Sequence, residues 1–254
     1  KHLNLKAASK RLVKLAKTDE GSSKKYSHAE EEILQNTPFV HLHSHSQYSI
    51  LQSTSKIDDL VKAAADDKMQ ALSLTDHANL MGAFHFIKAI KKHNSDLAEG
   101  ADQIKPILGC ELFVCEDHQD RSRRDNGYQI VFIAKNKKGF ENLSKMSSIA
   151  YTKGFYYVPR IDKKVVEQYK SDLIVLTGNL YGEVPSKILN IGDKQAEEAL
   201  QWWSEQFGND LYIELMRHGQ EDEKRANQVL IHFAQKHQIK ILATNNSYYT
   251  SKAE

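Results

Sequence analysis

The stretch HLHSHSQYSILQS, residues 41–53, begins inside a short apolar run at Phe39–Leu42 that is predicted to form a β-strand. It carries histidines at positions 41, 43 and 45. Side chains of an extended chain alternate between two faces, so we expect these imidazoles on one face. Imidazole is the commonest metal ligand among side chains. The stretch therefore predicts a first strand that ends in a cluster of metal-binding type.

Downstream of this stretch, short apolar runs alternate with amphipathic segments. Six further strands are predicted at Ala71–Thr75, Ile107–Val114, Ile130–Ala134, Leu173–Thr177, Leu211–Leu215 and Ile241–Ala243. Helical patterns lie between most of them, at Lys56–Ala65, Gly82–Lys92, Lys138–Tyr151, Val184–Leu189, Lys194–Phe207 and Glu221–His237. Strands that alternate with helices predict parallel pairing through right-handed crossovers. Seven such units predict an α/β fold, a TIM-like barrel with its site at the carboxyl ends of the strands.

Two later strand ends carry further candidate ligands. Thr75-Asp76-His77 follows the second predicted strand, and Glu111 lies on the apolar third strand. A buried carboxylate is costly unless it is paired or bound to metal, and we expect Asp76 to orient an imidazole from outside the ligand set. His43, His45, His77 and Glu111 together indicate a metal site or its remnant. The alternative is a polar barrel end held by hydrogen bonds alone.

Composition excludes several classes of protein. The 254 residues are 40% hydrophobic and 27% charged, which suits a globular domain with a sizeable core. A net charge of +2 gives no overall reason to expect nucleic-acid binding. Cys110 and Cys115 fall on opposite faces of one predicted strand, so we expect reduced thiols. Because no apolar run reaches about 18 residues, we expect no membrane span and a cytoplasmic protein.

The amino-terminal residues differ from the rest in composition. Residues 1–17 are basic with a weak amphipathic pattern, which suits either a DNA-contacting or docking helix or a solvated linker helix. Residues 18–37 are polar and acidic and end before Pro38, which is linker composition. We therefore expect a tether at 1–37 and one folded domain at 38–254. The start at Lys1 suggests an excerpt from a longer polypeptide.

Several of these stretches resemble one family. Residues 41–53, SLTDHANLMGAFHF at 73–86 and KPILGCELFV at 105–114 are similar to the PHP domain (polymerase and histidinol phosphatase) of bacterial DNA polymerase III alpha subunits. The similarity continues through GYQIVFIAKNKKGFENLSKMSSIAYTKGFYYVPRID at 127–162, LIVLTGNLYGEVPSKIL at 173–189 and ILATNNSYY at 241–249. The resemblance implies a distorted seven-stranded (β/α) barrel, the PHP fold.

The resemblance also implies a metal site with nine ligands for up to three metals, and this chain matches it only in part. The matching ligands fall on His43, His45, His77 and Glu111. Five positions depart from the pattern, namely Gln52 for Asp, Gln129 for His, Asn179 for Cys, Asn246 for Asp and Tyr248 for His. Neutral amides and a phenol are poor ligands for zinc. We expect no metal, or at most one zinc or manganese ion at His43, His45 and Glu111.

Three functions remain open at this stage. The first is a structural and interaction module of a replicative polymerase with a degenerate metal site, contacting the other polymerase domains, the proofreading exonuclease and, through the polymerase, DNA. The second is a metal-dependent phosphoesterase or 3′–5′ exonuclease that uses residual metal at the His-x-His pair. The third is a stand-alone phosphatase of the histidinol phosphatase type. The substituted ligands argue against the second, and the polymerase-type stretches at 75–86, 150–162 and 243–249 against the third.

Overall fold

The computed structural model describes residues 37–250, which contain eight strands. They are β1 (Ala71–Leu74), β2 (Lys105–Cys115), β3 (Tyr128–Ala134), β4 (Phe155–Tyr156), β5 (Val158–Asp162), β6 (Leu173–Leu176), β7 (Leu211–Leu215) and β8 (Lys240–Ala243). The helices are α1 (Ile57–Asp66), α2 (Ala83–Ser95), α3 (Lys137–Thr152), α4 (Lys163–Tyr169), α5 (Glu183–Asn190), α6 (Asp193–Phe207) and α7 (Glu221–His237), with a 3₁₀ turn at Gly208–Asp210. The predicted tether at 1–37 lies almost wholly outside the described residues.

The strands form one curled sheet. Its main path runs through seven strands in the order β4-β5-β2-β3-β6-β7-β8, and β1 pairs in parallel with the first half of the long β2. The expectation that all strands are parallel is wrong, because β3 runs antiparallel to both β2 and β6. The physical reason is the connection: residues 116–127 between β2 and β3 contain no helix. Without a helical crossover, the chain returns antiparallel.

The predicted strand at Phe39–Leu42 is also not a regular strand. The segment that continues through His45 is extended but divides its hydrogen bonds between two neighbours. Towards β1, the N–H groups of Ser73 and Thr75 donate to the carbonyls of His41 and Ser44. Towards the chain after β8, His45 N–H donates to the Ser247 carbonyl and Ser247 N–H to the His43 carbonyl. No continuous ladder forms, yet these bonds join β1 to the end of β8 and complete the barrel.

Three elements escaped the sequence prediction. Strands β4 and β5 form a tight antiparallel pair in which Tyr156 faces Val158, and α4 follows directly. Pro159 lies in β5, and a proline within an apolar run argues against a strand in sequence-based reasoning. Asp162 ends β5 and caps α4, since its carboxylate accepts the N–H of Val165. The short β5 pairs in parallel with the second half of β2.

The core lies between the sheet and the surrounding helices. Strand residues such as Leu112, Phe132 and Ile213 are fully buried against Leu143 of α3 and Trp203 of α6. A second apolar cluster joins α1, α2 and β1. The architecture is a distorted TIM-like (β/α) barrel, which confirms the predicted fold class. Within residues 37–250, no helix has the length and apolar character needed to cross a bilayer.

Candidate metal centre

The barrel brings the predicted ligands to one place. His43 and His45 lie on the extended segment before β1, His77 follows β1, and Glu111 lies in β2, where it forms an isolated bridge with His77. All four are buried, with at most 7% exposure, at His77. A fifth buried residue, Glu214 of β7, joins them. We call His43, His45, His77, Glu111 and Glu214 the barrel-end cluster.

Glu111 is at the centre of this cluster. Its Oε2 lies 2.6 Å from His43 Nε2 and 3.3 Å from His45 Nε2. Its Oε1 lies 3.3 Å from His77 Nδ1, although these two atoms form no hydrogen bond with each other or with any described residue. Burial alone would raise the pKa of Glu111. Its hydrogen bonds with His43 and His45 outweigh burial and hold the pKa well below the usual range.

The pKa values of His43 and His77 are shifted in opposite directions. Burial would lower the pKa of His43, but Glu214 and Glu111 on its two ring nitrogens raise it to about 10. His77 contacts one carboxylate only, and burial lowers its pKa to about 4. The ring of His77 is stacked on that of His45, with centroids 4.3 Å apart. The surroundings of the two rings therefore shift the pKa of His43 upward and that of His77 downward.

The substituted positions are placed unequally. Asn246 Oδ1 lies 2.9 Å from His45 Nε2, and the Tyr248 hydroxyl lies 3.1 Å from His77 Nε2. Gln129 and Asn179 bond each other, since the Asn179 amide donates to Gln129 Oε1 at 2.9 Å. Gln52 is exposed in the turn after the His-x-His pair, and none of its recorded contacts reaches the cluster. Two of the five positions thus contact the cluster directly.

Asp76 reaches an imidazole of the cluster through an intervening serine. Its carboxylate accepts hydrogen bonds from Ser46 N–H and from the hydroxyls of Ser46 and Ser49. The same Ser49 hydroxyl lies 3.0 Å from His45 Nδ1. Asp76 therefore holds His45 through Ser49, because the tight turn after His45 brings the serine between them.

His41, the third alternating histidine, is instead edge-on to Phe39, with ring centroids 5.0 Å apart.

Sequence reasoning missed Glu214, although a signal existed. The stretch LYIEL at 211–215 puts a carboxylate on a fully buried strand, as GCEL does for Glu111. Missed too was a second group of metal-ligand types, Asp117, His118 and Asp162. There His118 Nδ1 lies 2.6 Å from Asp162, which also caps α4. That second group is already engaged in holding secondary structure.

The donor set fits one metal ion. His43, His45 and Glu111 each offer a ligand atom, and these atoms lie within 4.8 Å of one another. Two imidazoles and a carboxylate suit zinc or manganese. One cavity of about 170 Å³ beside the cluster is lined in part by Asn179, Asn246 and Glu214. Of these three side chains, only that of Glu214 is ionisable. The five substituted positions present amide groups or a phenol, which fit a zinc-type ion poorly.

Comparison with known proteins identifies related chains. The PHP domain family matches residues 41–218. DNA polymerase III subunit alpha of Aquifex aeolicus is 40% identical over 221 residues, which cover 83% of this chain and 18% of that protein. The corresponding protein of Borreliella burgdorferi is 36% identical over 220 residues, covering 85% and 18%. The chain therefore spans less than a fifth of the length of these relatives.

Solved structures with low identity share the fold. A protein from Bifidobacterium adolescentis assigned as a metal-dependent phosphoesterase superposes with a TM-score of 0.56 and 12% identity, covering 86% of this chain and 90% of that one. An amidohydrolase from Chromobacterium violaceum gives 0.52 and 11%, covering 83% and 87%. Since the family match covers most of the described residues, the chain belongs to the PHP domain family and is homologous to part of DNA polymerase III alpha subunits.

Proposed function

We propose that the chain is the PHP domain of a bacterial replicative DNA polymerase III alpha subunit and serves as a structural and interaction module with a degenerate metal site. Relatives 36% and 40% identical over more than four fifths of the chain support the parent protein. The chain spans only 18% of their length, so its natural surroundings are the other domains of the same polypeptide. We propose those domains as its first partners, in the cytoplasm, with DNA reached only through the polymerase.

One observation carries the proposal of a degenerate site. Two substituted positions contact rings of the cluster with neutral groups: Asn246 Oδ1 lies 2.9 Å from His45 Nε2, and the Tyr248 hydroxyl lies 3.1 Å from His77 Nε2. The family pattern has an aspartate and a histidine there. Burial raises the pKa of Tyr248, so its hydroxyl stays protonated at neutral pH. Neutral groups cannot anchor the second and third metals, which leaves His43, His45 and Glu111 for at most one.

A single bound ion would supply limited chemistry. It would polarise a phosphoester oxygen or activate one water molecule. Family members that hydrolyse phosphoesters use several metals as a clamp, and the residues for that clamp have been replaced. The chain's own groups instead bond one another: His43 bridges Glu111 and Glu214, and Gln129 pairs with Asn179. We therefore propose that the domain contributes shape and contacts to the polymerase, and also docks the proofreading exonuclease.

The second candidate is a one-metal phosphoesterase or 3′–5′ exonuclease. It is favoured by the intact group of His43, His45 and Glu111. The two candidates separate in an assay of the 254-residue chain on 3′-labelled DNA and on an aryl phosphate, with zinc, manganese or magnesium. We expect rates at background, equal for the chain and its His43→Ala variant. Metal-dependent hydrolysis that His43→Ala abolishes would establish the second candidate instead.

We also propose that residues 1–37 are a tether outside the folded domain. Their polar and acidic composition supports this. Deleting residues 1–35 should leave the melting temperature nearly unchanged. A fall of more than about 5 °C, roughly 2 kcal/mol for a domain of this size, would show that the segment is packed.

A further inference from the structure

Glu214 is a buried carboxylate that the family's ligand pattern does not include. It lies in β7 with 2% exposure, between two strand ends that hold it in place. Its backbone N–H donates to the hydroxyl of Thr177, just after β6, at 3.0 Å. The hydroxyl of Thr244, just after β8, donates to its Oε1. Both threonines are themselves buried, so the carboxylate has a fixed position.

Besides the Thr244 hydroxyl, Glu214 Oε1 also contacts His43, a member of the metal-ligand group. Glu214 Oε1 lies 2.9 Å from His43 Nδ1, while the other ring nitrogen, Nε2, faces Glu111 at 2.6 Å. A carboxylate on one imidazole nitrogen fixes the ring orientation and keeps a proton on that nitrogen. The opposite nitrogen is then the one presented to a ligand or a metal.

His45 shows the same arrangement built from different residues. Its Nδ1 lies 3.0 Å from Ser49, whose hydroxyl donates to Asp76 at 2.7 Å, and its Nε2 lies 3.3 Å from Glu111. Both histidines of the pair therefore have Nδ1 held from behind and Nε2 turned towards the same carboxylate oxygen. For His45 the support comes from the adjoining turn, whereas for His43 it comes from the opposite side of the barrel.

We propose that Glu214 is the positioning residue of His43: it holds Nδ1–H and thereby turns Nε2 towards Glu111. The inference deepens the proposed function, on which it rests only for its metal-binding consequence. Thr244 acts one step further out, by fixing Glu214. The ring orientation follows from the protein's own contacts and exists without a bound ion.

The first test is long-range ¹H–¹⁵N NMR of the histidine rings in the metal-free chain. We expect His43 to carry a proton on Nδ1, shifted downfield by the carboxylate. Glu214→Leu should remove the acceptor at His43 Nδ1 and move the ring signals, while Glu214→Gln, which keeps an acceptor oxygen, should keep the proton on Nδ1. The matched control is Glu223→Leu. Glu223 is also a buried carboxylate, and its Oε1 lies 2.6 Å from Nδ1 of another histidine, His218.

The control should move the signals of His218 and leave those of His43 in place. A wild-type spectrum with no proton on His43 Nδ1 would overturn the proposal, as would wild-type His43 signals in Glu214→Leu. If Glu214→Leu does not fold, Thr244→Val takes its place. Loss of the hydroxyl that fixes Glu214 should shift the His43 signals, and their invariance would count against the proposal.

The second test is cobalt(II) titration, followed by optical absorption. Glu214→Leu should weaken binding at the His-x-His pair by about 10- to 100-fold, the usual effect of losing a ligand's supporting partner, and Glu223→Leu should not change it. Equal affinity in wild type and Glu214→Leu contradicts the positioning role. Binding of two or three cobalt equivalents to the wild type contradicts the proposed function instead and leaves the NMR result on Glu214 standing. If the wild type binds no cobalt, the NMR result decides.

Discussion

In the barrel-end cluster, three buried atoms have no hydrogen-bond partner among the described residues: His77 Nδ1, Glu111 Oε1 and Glu214 Oε2. Arg160 of β5 is equally buried but fully engaged. Its guanidinium donates to the backbone carbonyls of Gly154, His118, Asp120 and Asp125, at 2.8 to 3.2 Å. Three of those carbonyls belong to the loop between β2 and β3. We call this the Arg160 network.

The contrast between the barrel-end cluster and the Arg160 network indicates two different reasons for burying charged side chains. Native proteins leave few buried polar atoms unsatisfied, and those few tend to mark sites kept for something other than stability. The barrel-end cluster fits that description, since three of its buried atoms lack a hydrogen-bond partner among the described residues. The Arg160 network is structural, because every bond it makes fixes a loop. Substitutions in the Arg160 network should therefore lower the free energy of unfolding strongly. Substitutions in the barrel-end cluster should lower it by amounts that differ from residue to residue.

The largest effect is expected from Arg160→Met. Methionine keeps much of the apolar stem but leaves several carbonyls of a partly buried loop without a donor. We expect the free energy of unfolding to fall by about 3–5 kcal/mol, measured by urea denaturation. The control is Arg123→Met in the same loop, where an exposed ion pair with Glu116 is lost at a cost below about 1 kcal/mol. Equal losses of unfolding free energy in Arg160→Met and Arg123→Met would contradict the stabilising role of the Arg160 network.

A second fully satisfied charge gives a pH test of the same comparison. Glu183 of α5 is 4% exposed and bonds Lys163 at 3.0 Å, Lys187 at 2.8 Å and the Trp203 indole at 2.8 Å. Burial would raise its pKa, but the two lysines lower it below the usual 4.5. Its charge therefore stabilises the fold above about pH 4.5, and this contribution is lost as pH falls through the lower folded pKa.

Glu183→Gln should accordingly be less stable than wild type at pH 7, by about 1–3 kcal/mol. The gap should narrow as the pH falls below 4.5. Urea midpoints of both proteins at several pH values between neutrality and strong acid measure it. A gap that stays constant with pH would mean that the Glu183 charge contributes nothing and that only its shape matters.

The smallest effect is expected within the cluster, from His77→Phe. The His77 ring is stacked near His45 and Phe113, contacts that a phenyl ring retains. The change removes one hydrogen bond, to Tyr248, and one unsatisfied nitrogen. Stability should therefore change by less than about 1 kcal/mol in either direction. His43→Phe is the control, because it removes the imidazole that bridges the buried carboxylates of Glu111 and Glu214 and should cost roughly 3 kcal/mol or more.

The sequence predicted those parts of the molecule whose signal is local. Strand and helix periodicity placed most elements, and the family motifs placed His43, His45, His77 and Glu111. The antiparallel course of β3 depends on a loop without a helix, which periodicity does not reveal. Arg160 was missed because its partners are backbone carbonyls of a loop, and these leave no trace in residue identity. Glu214 had a readable signal, a carboxylate on the buried strand LYIEL, but its partner His43 lies 171 positions away.

The most direct test of the degenerate metal site is the metal content of the 254-residue chain after exposure to zinc or manganese and exhaustive dialysis, measured by elemental analysis. At most one equivalent per chain should remain, because within the described barrel-end cluster His43, His45 and Glu111 are the group that brings three ligand atoms together, while in the second group Asp162 already caps α4. Any bound equivalent should disappear in His45→Ala. Two or three equivalents per chain would show that Asn246, Tyr248 and the other substituted positions still support a multi-metal centre, and would contradict the account.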